Sequence, residues 1–236
     1  MRSFRFASPA LGAALLVSAY AESPALAADA EHPTVIELFQ SQGCSSCPPA
    51  NASLIQFSQR ADVLALNFAV TYWDRLGWKD TFATPQYTQR QYDYSTAMHG
   101  SGVYTPQIVV NGRAEGVGDE VSEMEALARK TDRGASGPEV KVEGGEAVVV
   151  GAGTAPAHGA DVWLALYDPR VVDVAVARGE NAGRTLAHKN IVHRMVLLGH
   201  WTGAAERLPL PSSGGLARAV LVQSAGTGPI LAAAKG

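Results

Sequence analysis

Residues 62–70, DVLALNFAV, are apolar at every position except Asp62 and Asn67. A strand so uniformly apolar is buried rather than half-solvated, so any fold that forms must supply cover around it. The flanking segments begin to supply that cover. TVIEL and the following Phe39 read as a second strand, and ANASLIQFSQR between the two reads as an amphipathic helix. After the apolar strand comes a polar and aromatic stretch, residues 71–100, that is partly helical in pattern. TPQIVVNGRAEGVG follows, with Asn111-Gly112 between extended runs as a hairpin signal. Residues 119–134 then carry Asp119 as an N-cap, early acids, Arg129 and Lys130 late, and Gly134 beyond the end. The predicted order is strand, helix, strand, helix, hairpin, helix.

GASGPE at 134–139 reads as a boundary. Beyond it about seven short apolar runs, from EVKV to PILAAA, are separated by Gly, Pro and polar turns, which suggests a small all-β sandwich-like domain. The chain of 236 residues, 47% apolar, is long enough for one large or two small domains. Its formal net charge of −3 argues against nucleic acid as a partner.

At the N-terminus Arg2 and Arg5 precede an apolar run, and Ala25 and Ala27 offer small residues before a cut ahead of Ala28. This is the three-part pattern of a secretory signal over residues 1–27, with a second small-x-small site at Ala19 and Ala21. The apolar run is too short to span a bilayer. The expected location is periplasmic or secreted, with no membrane span after cleavage. Removing the leader leaves 17 basic and 21 acidic residues.

An oxidising compartment lets a disulfide persist. The only two cysteines are Cys44 and Cys47, in SQGCSSCPPA. They follow the first strand and open the first helix, where Pro48 and Pro49 fit because the first turn has no bond for their missing N–H groups. Peptide dipoles at a helix start favour the thiolate, so Cys44 is the expected nucleophile and Cys47 the resolving thiol. Two other readings stay open: a structural staple, weak because so small a ring gains little loop-closure entropy, or a metal clip, for which no second Cys pair exists.

The strand, the Cys-x-x-Cys at a helix start and the later Thr-Pro at a hairpin strand together resemble the thioredoxin fold. The resemblance places Pro106 as a cis proline facing the active disulfide, with the backbone of Thr105 free to pair with an extended substrate. More narrowly, VIELFQSQGCSSCPPA, YWDRLGWKD, YTPQIVVNG and RGENAGRTLAHKN resemble a family of exported bacterial thioredoxin-like proteins catalogued as a domain of unknown function. That family often carries His-Val-Asp ahead of Tyr-Trp-Asp; the matching positions here are Ala69, Val70 and Thr71. The expected fold class is an α/β thioredoxin-like domain over 34–133 followed by an all-β sandwich-like domain over 139–234.

Further site residues follow. Glu37, seven positions before Cys44, resembles the buried acid that thioredoxins use to move a proton at the resolving thiol, at a spacing one residue longer. Tyr72, Trp73 and Trp78 form either a partner-binding rim or an inward core cap. Asp74 and Asp80 are expected to pair with Arg75 or Lys79. Arg178, Arg184, Lys189 and Arg194, with His188 and His193, concentrate positive charge that would lower the thiol pKa and hold an anionic substrate group if the loop covers Cys44. The expected activity is thiol–disulfide exchange on a protein or small-molecule substrate, with its direction left open and no cofactor. The rival is a copper-handling module using Cys44, Cys47 and a histidine.

Overall fold

The computed structural model describes Met1 and residues 28–236. The expected leader over 1–27 therefore lies, apart from Met1, outside the described residues. The first region runs β1 (Thr34–Gln40), α1 (Cys47–Phe57), β2 (Val63–Ala69), a 3-10 turn (Asp74–Leu76), α2 (Pro85–Ala97), β3 (Gln107–Val110), β4 (Ala114–Gly116) and α3 (Val121–Lys130). The second is all strand: β5 (Val140–Glu143), β6 (Ala147–Val150), β7 (Ala160–Asp168), β8 (Val172–Ala175), β9 (Thr185–His188), β10 (Ile191–Trp201), β11 (Glu206–Pro209), β12 (Ala217–Ser224) and β13 (Ile230–Lys235).

The expected fold class, an α/β thioredoxin-like domain followed by an all-β sandwich-like domain, is corrected by the sheet topology. One mixed eight-stranded sheet, ordered β13-β12-β7-β10-β2-β1-β3-β4, draws on both regions, and the described residues are mostly β with three short helices. The apolar strand β2 explains why. It runs parallel to β1 on one side, and alone its other edge would present unpaired N–H and C=O groups. β10 closes that edge through the Ile191 to Asn67 pairing, while the Asn67 N–H donates to the Asn190 carbonyl at 2.9 Å and Asn190 Nδ2 donates to the Ala65 carbonyl at 2.8 Å.

Strand alternation then sorts the core. One sheet face carries α2 over Val35, Phe39, Leu66 and Phe68, in a cluster that continues to Leu221 and Ala233. On the other face Ile36, Leu38, Ala65 and Ile108 pack under α1 and α3. A three-stranded sheet, β11-β6-β5, packs Val148 and Val150 against Leu164, Trp201 and Val220. The β8–β9 ribbon lies beside α1.

The hairpin between β3 and β4 locks the two regions together. Asn111 and Gly112 both take left-handed backbone, with φ of 50° and 61°. A Cβ on Gly112 would stand 2.7 Å from the Gly228 carbonyl oxygen, so only glycine lets the connection before β13 approach this closely. The Ile230 N–H donates to the Asn111 carbonyl, and the buried Asn111 amide links the Val35 N–H to the Thr131 carbonyl.

Candidate functional site

Beyond β1 the chain turns through residues 41–46 and enters α1. The Cys44 N–H donates to the Ser41 carbonyl at 3.1 Å and the Cys47 N–H to the Cys44 carbonyl at 3.3 Å. The helix starts at Cys47, so Cys44 stands in the turn ahead of it and Cys47 heads it. The cysteines form a disulfide with a Cα–Cα distance of 5.4 Å. Ser46 Oγ lies 3.3 Å from Cys44 Sγ. Both cysteines are sealed, at 0% and 1% exposure, while Ser45 and Ser46 between them face solvent.

Three walls enclose the pair. The Thr105–Pro106 peptide bond is cis. Trp73 Nε1 donates to Thr105 Oγ1 at 2.7 Å, and the Ser46 hydroxyl donates to the Thr105 carbonyl at 3.4 Å. That carbonyl is therefore engaged within the chain. The second wall is the aromatic stretch, whose tryptophans are half-buried braces instead of an exposed rim. Trp78 Nε1 donates to Gln42 Oε1 at 2.9 Å, and the Gln42 N–H donates to Asp80 Oδ2 at 2.6 Å. Asp80 thus accepts from backbone and does not pair with Lys79, and Asp74 accepts from the Asp80 N–H. Burial, the largest influence on Asp80, raises its carboxyl pKa.

The third wall comes from the ribbon loop. Glu180 accepts from the Ser45 N–H at 3.1 Å and from the Ser45 hydroxyl at 2.7 Å, bonds that lower its pKa. Asn181, fully buried, donates through Nδ2 to the carbonyls of Gln42 at 2.9 Å and Cys44 at 2.8 Å. Arg184 donates to Asn181 Oδ1 at 2.7 Å, and Arg178 is exposed. The loop meets the cysteine turn, but an acid and an amide make the contact where the sequence suggested Arg178 and Arg184.

Beneath Cys47 lies a buried polar chain. Asn51 Nδ2 reaches Gln40 Oε1 at 3.3 Å and the Cys47 carbonyl at 3.4 Å. Asn51 Oδ1 accepts from Asn67 Nδ2 at 2.8 Å and lies 3.3 Å from His188 Nδ1. Because Asn51 turns its amide nitrogen toward two acceptors, its oxygen faces His188, which must hold its proton on Nδ1. His188 Nε2 is buried without a partner among the described residues.

Burial drives the His188 pKa down to about 4, against a smaller upward pull from Asp173. The folded value lies below the unfolded value of 6.5, so the unfolded chain takes up this proton first as pH falls. The contribution to stability is complete above about pH 6.5 and declines by about 3 kcal/mol down to about pH 4. Urea unfolding at pH 7 and pH 4.5 should show a loss about 2 kcal/mol smaller in His188→Phe than in the unsubstituted protein.

Glu37 is not brought to the cysteines. Ile36 and Leu38 face α1, so the intervening Glu37 points to the α2 face. There Arg90 Nε donates to Glu37 Oε1 at 2.8 Å and Arg90 Nη2 to Oε2 at 3.1 Å. Tyr94 also donates to Glu37, and Gln223 joins Arg90 to Tyr94. The polar β1 residue that reaches the cysteine helix is Gln40, which shares the parity of Ile36 and Leu38. Sequence reasoning missed Gln40, Asn51, Glu180 and Asn181, and gave Asp80 an ion pair where it accepts from the Gln42 N–H. Parity along β1 was the available signal for the first of them.

Among the described residues no three His, Cys, Asp or Glu side chains converge as a metal site. No described helix is long and apolar enough to cross a membrane.

A family model described as "Protein of unknown function (DUF1223)" matches residues 35–223. No curated protein matches the chain. A crystal structure of a protein from Agrobacterium tumefaciens is similar at 32% identity and a TM-score of 0.72, covering 91% of this chain and 95% of that one. HBP35 of Porphyromonas gingivalis is similar in fold at 13% identity and a TM-score of 0.56, over 87% of this chain and 75% of its own.

Proposed function

Since the chain belongs to the DUF1223 family, whose description names no reaction, we propose a function from the site itself: thiol–disulfide exchange through Cys44 and Cys47. The observation that carries this reading is a disulfide in the turn that opens α1, with the Ser46 hydroxyl oxygen 3.3 Å from Cys44 Sγ. A ring this small removes little entropy from the unfolded chain, so stability alone gives little reason for the bond. An export leader of the kind expected over residues 1–27 would support activity outside the cytoplasm, where such a bond persists.

In the reduced protein the Cys44 thiolate attacks one sulfur of a substrate disulfide, forming a mixed disulfide and expelling the other sulfur as a thiolate. Cys47, after losing its proton to solvent, then attacks Cys44 Sγ. The Cys44–Cys47 bond forms and the remaining substrate sulfur leaves. The reverse sequence oxidises a substrate dithiol, and the reduction potentials set the direction. The helix start stabilises the thiolate, whereas the Glu180 carboxylate opposes it.

The burial of both sulfurs favours one competing reading, an inert cross-link. A peptide-disulfide turnover assay with a chemical reductant separates the two. Catalytic turnover that disappears in Cys44→Ser supports exchange, and no turnover above the uncatalysed rate supports the cross-link.

A further inference from the structure

Three groups of the cysteine turn, the Cys44 carbonyl, the Ser45 N–H and the Cys47 carbonyl, trace to one remote segment, residues 180–188. Glu180 holds Ser45, and Asn181 holds Cys44. His188 orients Asn51, which holds Cys47. Asn181 is completely committed, with both amide hydrogens on carbonyls and its oxygen on Arg184, so its orientation has no alternative. The β8–β9 ribbon supplies the frame, and the side of β9 that presents His188 lies against α1.

We infer that Asn181, backed by Arg184, is a positioning residue of the redox pair, and that His188 through Asn51 serves the Cys47 end in the same way. The inference rests on the exchange reading above. In the disulfide the two Cα atoms stand 5.4 Å apart, and clamping both cysteine carbonyls would hold them near that bridging distance in the dithiol as well. This pre-organisation raises the effective concentration of Cys47 thiolate at the mixed disulfide. It therefore favours the closed ring over the dithiol. Asn181 and Arg184 need never touch substrate to do this.

The test equilibrates the full chain with mixtures of reduced and oxidised glutathione and measures the oxidised fraction by thiol alkylation and mass spectrometry. Asn181→Ala should become easier to reduce by about tenfold in the equilibrium constant, about 30 mV for this two-electron couple. Arg184→Ala should shift the constant the same way by about threefold, and Arg184→Lys, which keeps a donor for Asn181 Oδ1, should restore it. Thermal melts of the oxidised and reduced forms give an independent check, because a shifted equilibrium requires Asn181→Ala to destabilise the oxidised form more. Equal losses in both forms with an unchanged glutathione equilibrium would overturn the inference and leave Asn181 a merely structural residue. If Asn181→Ala fails to fold, the Arg184 pair decides by the same readout. Failure of the unsubstituted protein to exchange with glutathione at all would instead remove the exchange reading, and this inference with it.

Discussion

Cys47→Ser should convert the protein into a covalent trap. Without a resolving thiol, the mixed disulfide between Cys44 and a substrate has no internal route to collapse and persists until an external thiol cleaves it. Expressed in an exporting host and quenched with acid and alkylating agent, the variant should carry disulfide-linked partners that non-reducing gels and mass spectrometry identify. The double variant Cys44→Ser, Cys47→Ser should carry none. Turnover of a peptide disulfide should fall to the uncatalysed rate in Cys44→Ser, because its hydroxyl is a poor nucleophile near neutral pH. Equal trapping through Cys44 and through Cys47 would remove the assignment of separate roles to the two sulfurs.

Arg90→Met should produce the largest loss of stability of any single change discussed. Arg90 is buried, and its guanidinium meets both oxygens of the fully buried Glu37 carboxylate. Burial disfavours the charged guanidinium, but Glu37 more than compensates and raises its pKa. Removing the cation leaves a carboxylate inside the sheet with Tyr94 as its one remaining donor among the described residues, and breaking a buried pair in this way costs about 3–5 kcal/mol. Chemical denaturation should show that loss. The double variant Glu37→Met, Arg90→Met should recover much of it, since no buried charge then remains. A loss below about 1 kcal/mol in Arg90→Met would mean that water reaches the pair.

Local structure was largely legible in the sequence, whereas long-range assembly was not. The uniform apolarity of 63–70 marked β2 as a buried strand, and Asn111-Gly112 marked a turn because few other residues accept left-handed backbone at both positions. Neither pattern states which strand lies beside β2. The β10 partner lies more than 120 residues away in the chain, and its apolar run suits a sandwich strand as well as a shared sheet. That ambiguity produced the expectation of two separate architectures.

The candidate site divides along the same line. Cys44 and Cys47 were visible from spacing, and Pro48 and Pro49 marked the helix start, which falls at Cys47. Glu37 was assigned to the cysteines by its distance along the chain and by its resemblance to the buried acid of thioredoxins. Alternation makes Glu37 and Gln40 face opposite sides of β1, but sequence does not say which side faces α1. In RGENAGRTLAHKN the arginines drew attention through their charge, yet the contacts to the cysteine turn run through Glu180 and Asn181. Hydrogen bonds spanning 135 and 137 residues leave no periodic trace in either segment.

The most direct measurement is the rate at which dithiothreitol opens the Cys44–Cys47 bond in the folded protein, compared across urea concentrations with the rate of global unfolding. An exchange centre should be reduced in the absence of urea much faster than the chain unfolds, through local displacement of the 180–184 loop. Reduction that proceeds only as fast as unfolding, with the same urea dependence, would mean that the sulfurs are locked in the core and would contradict the account.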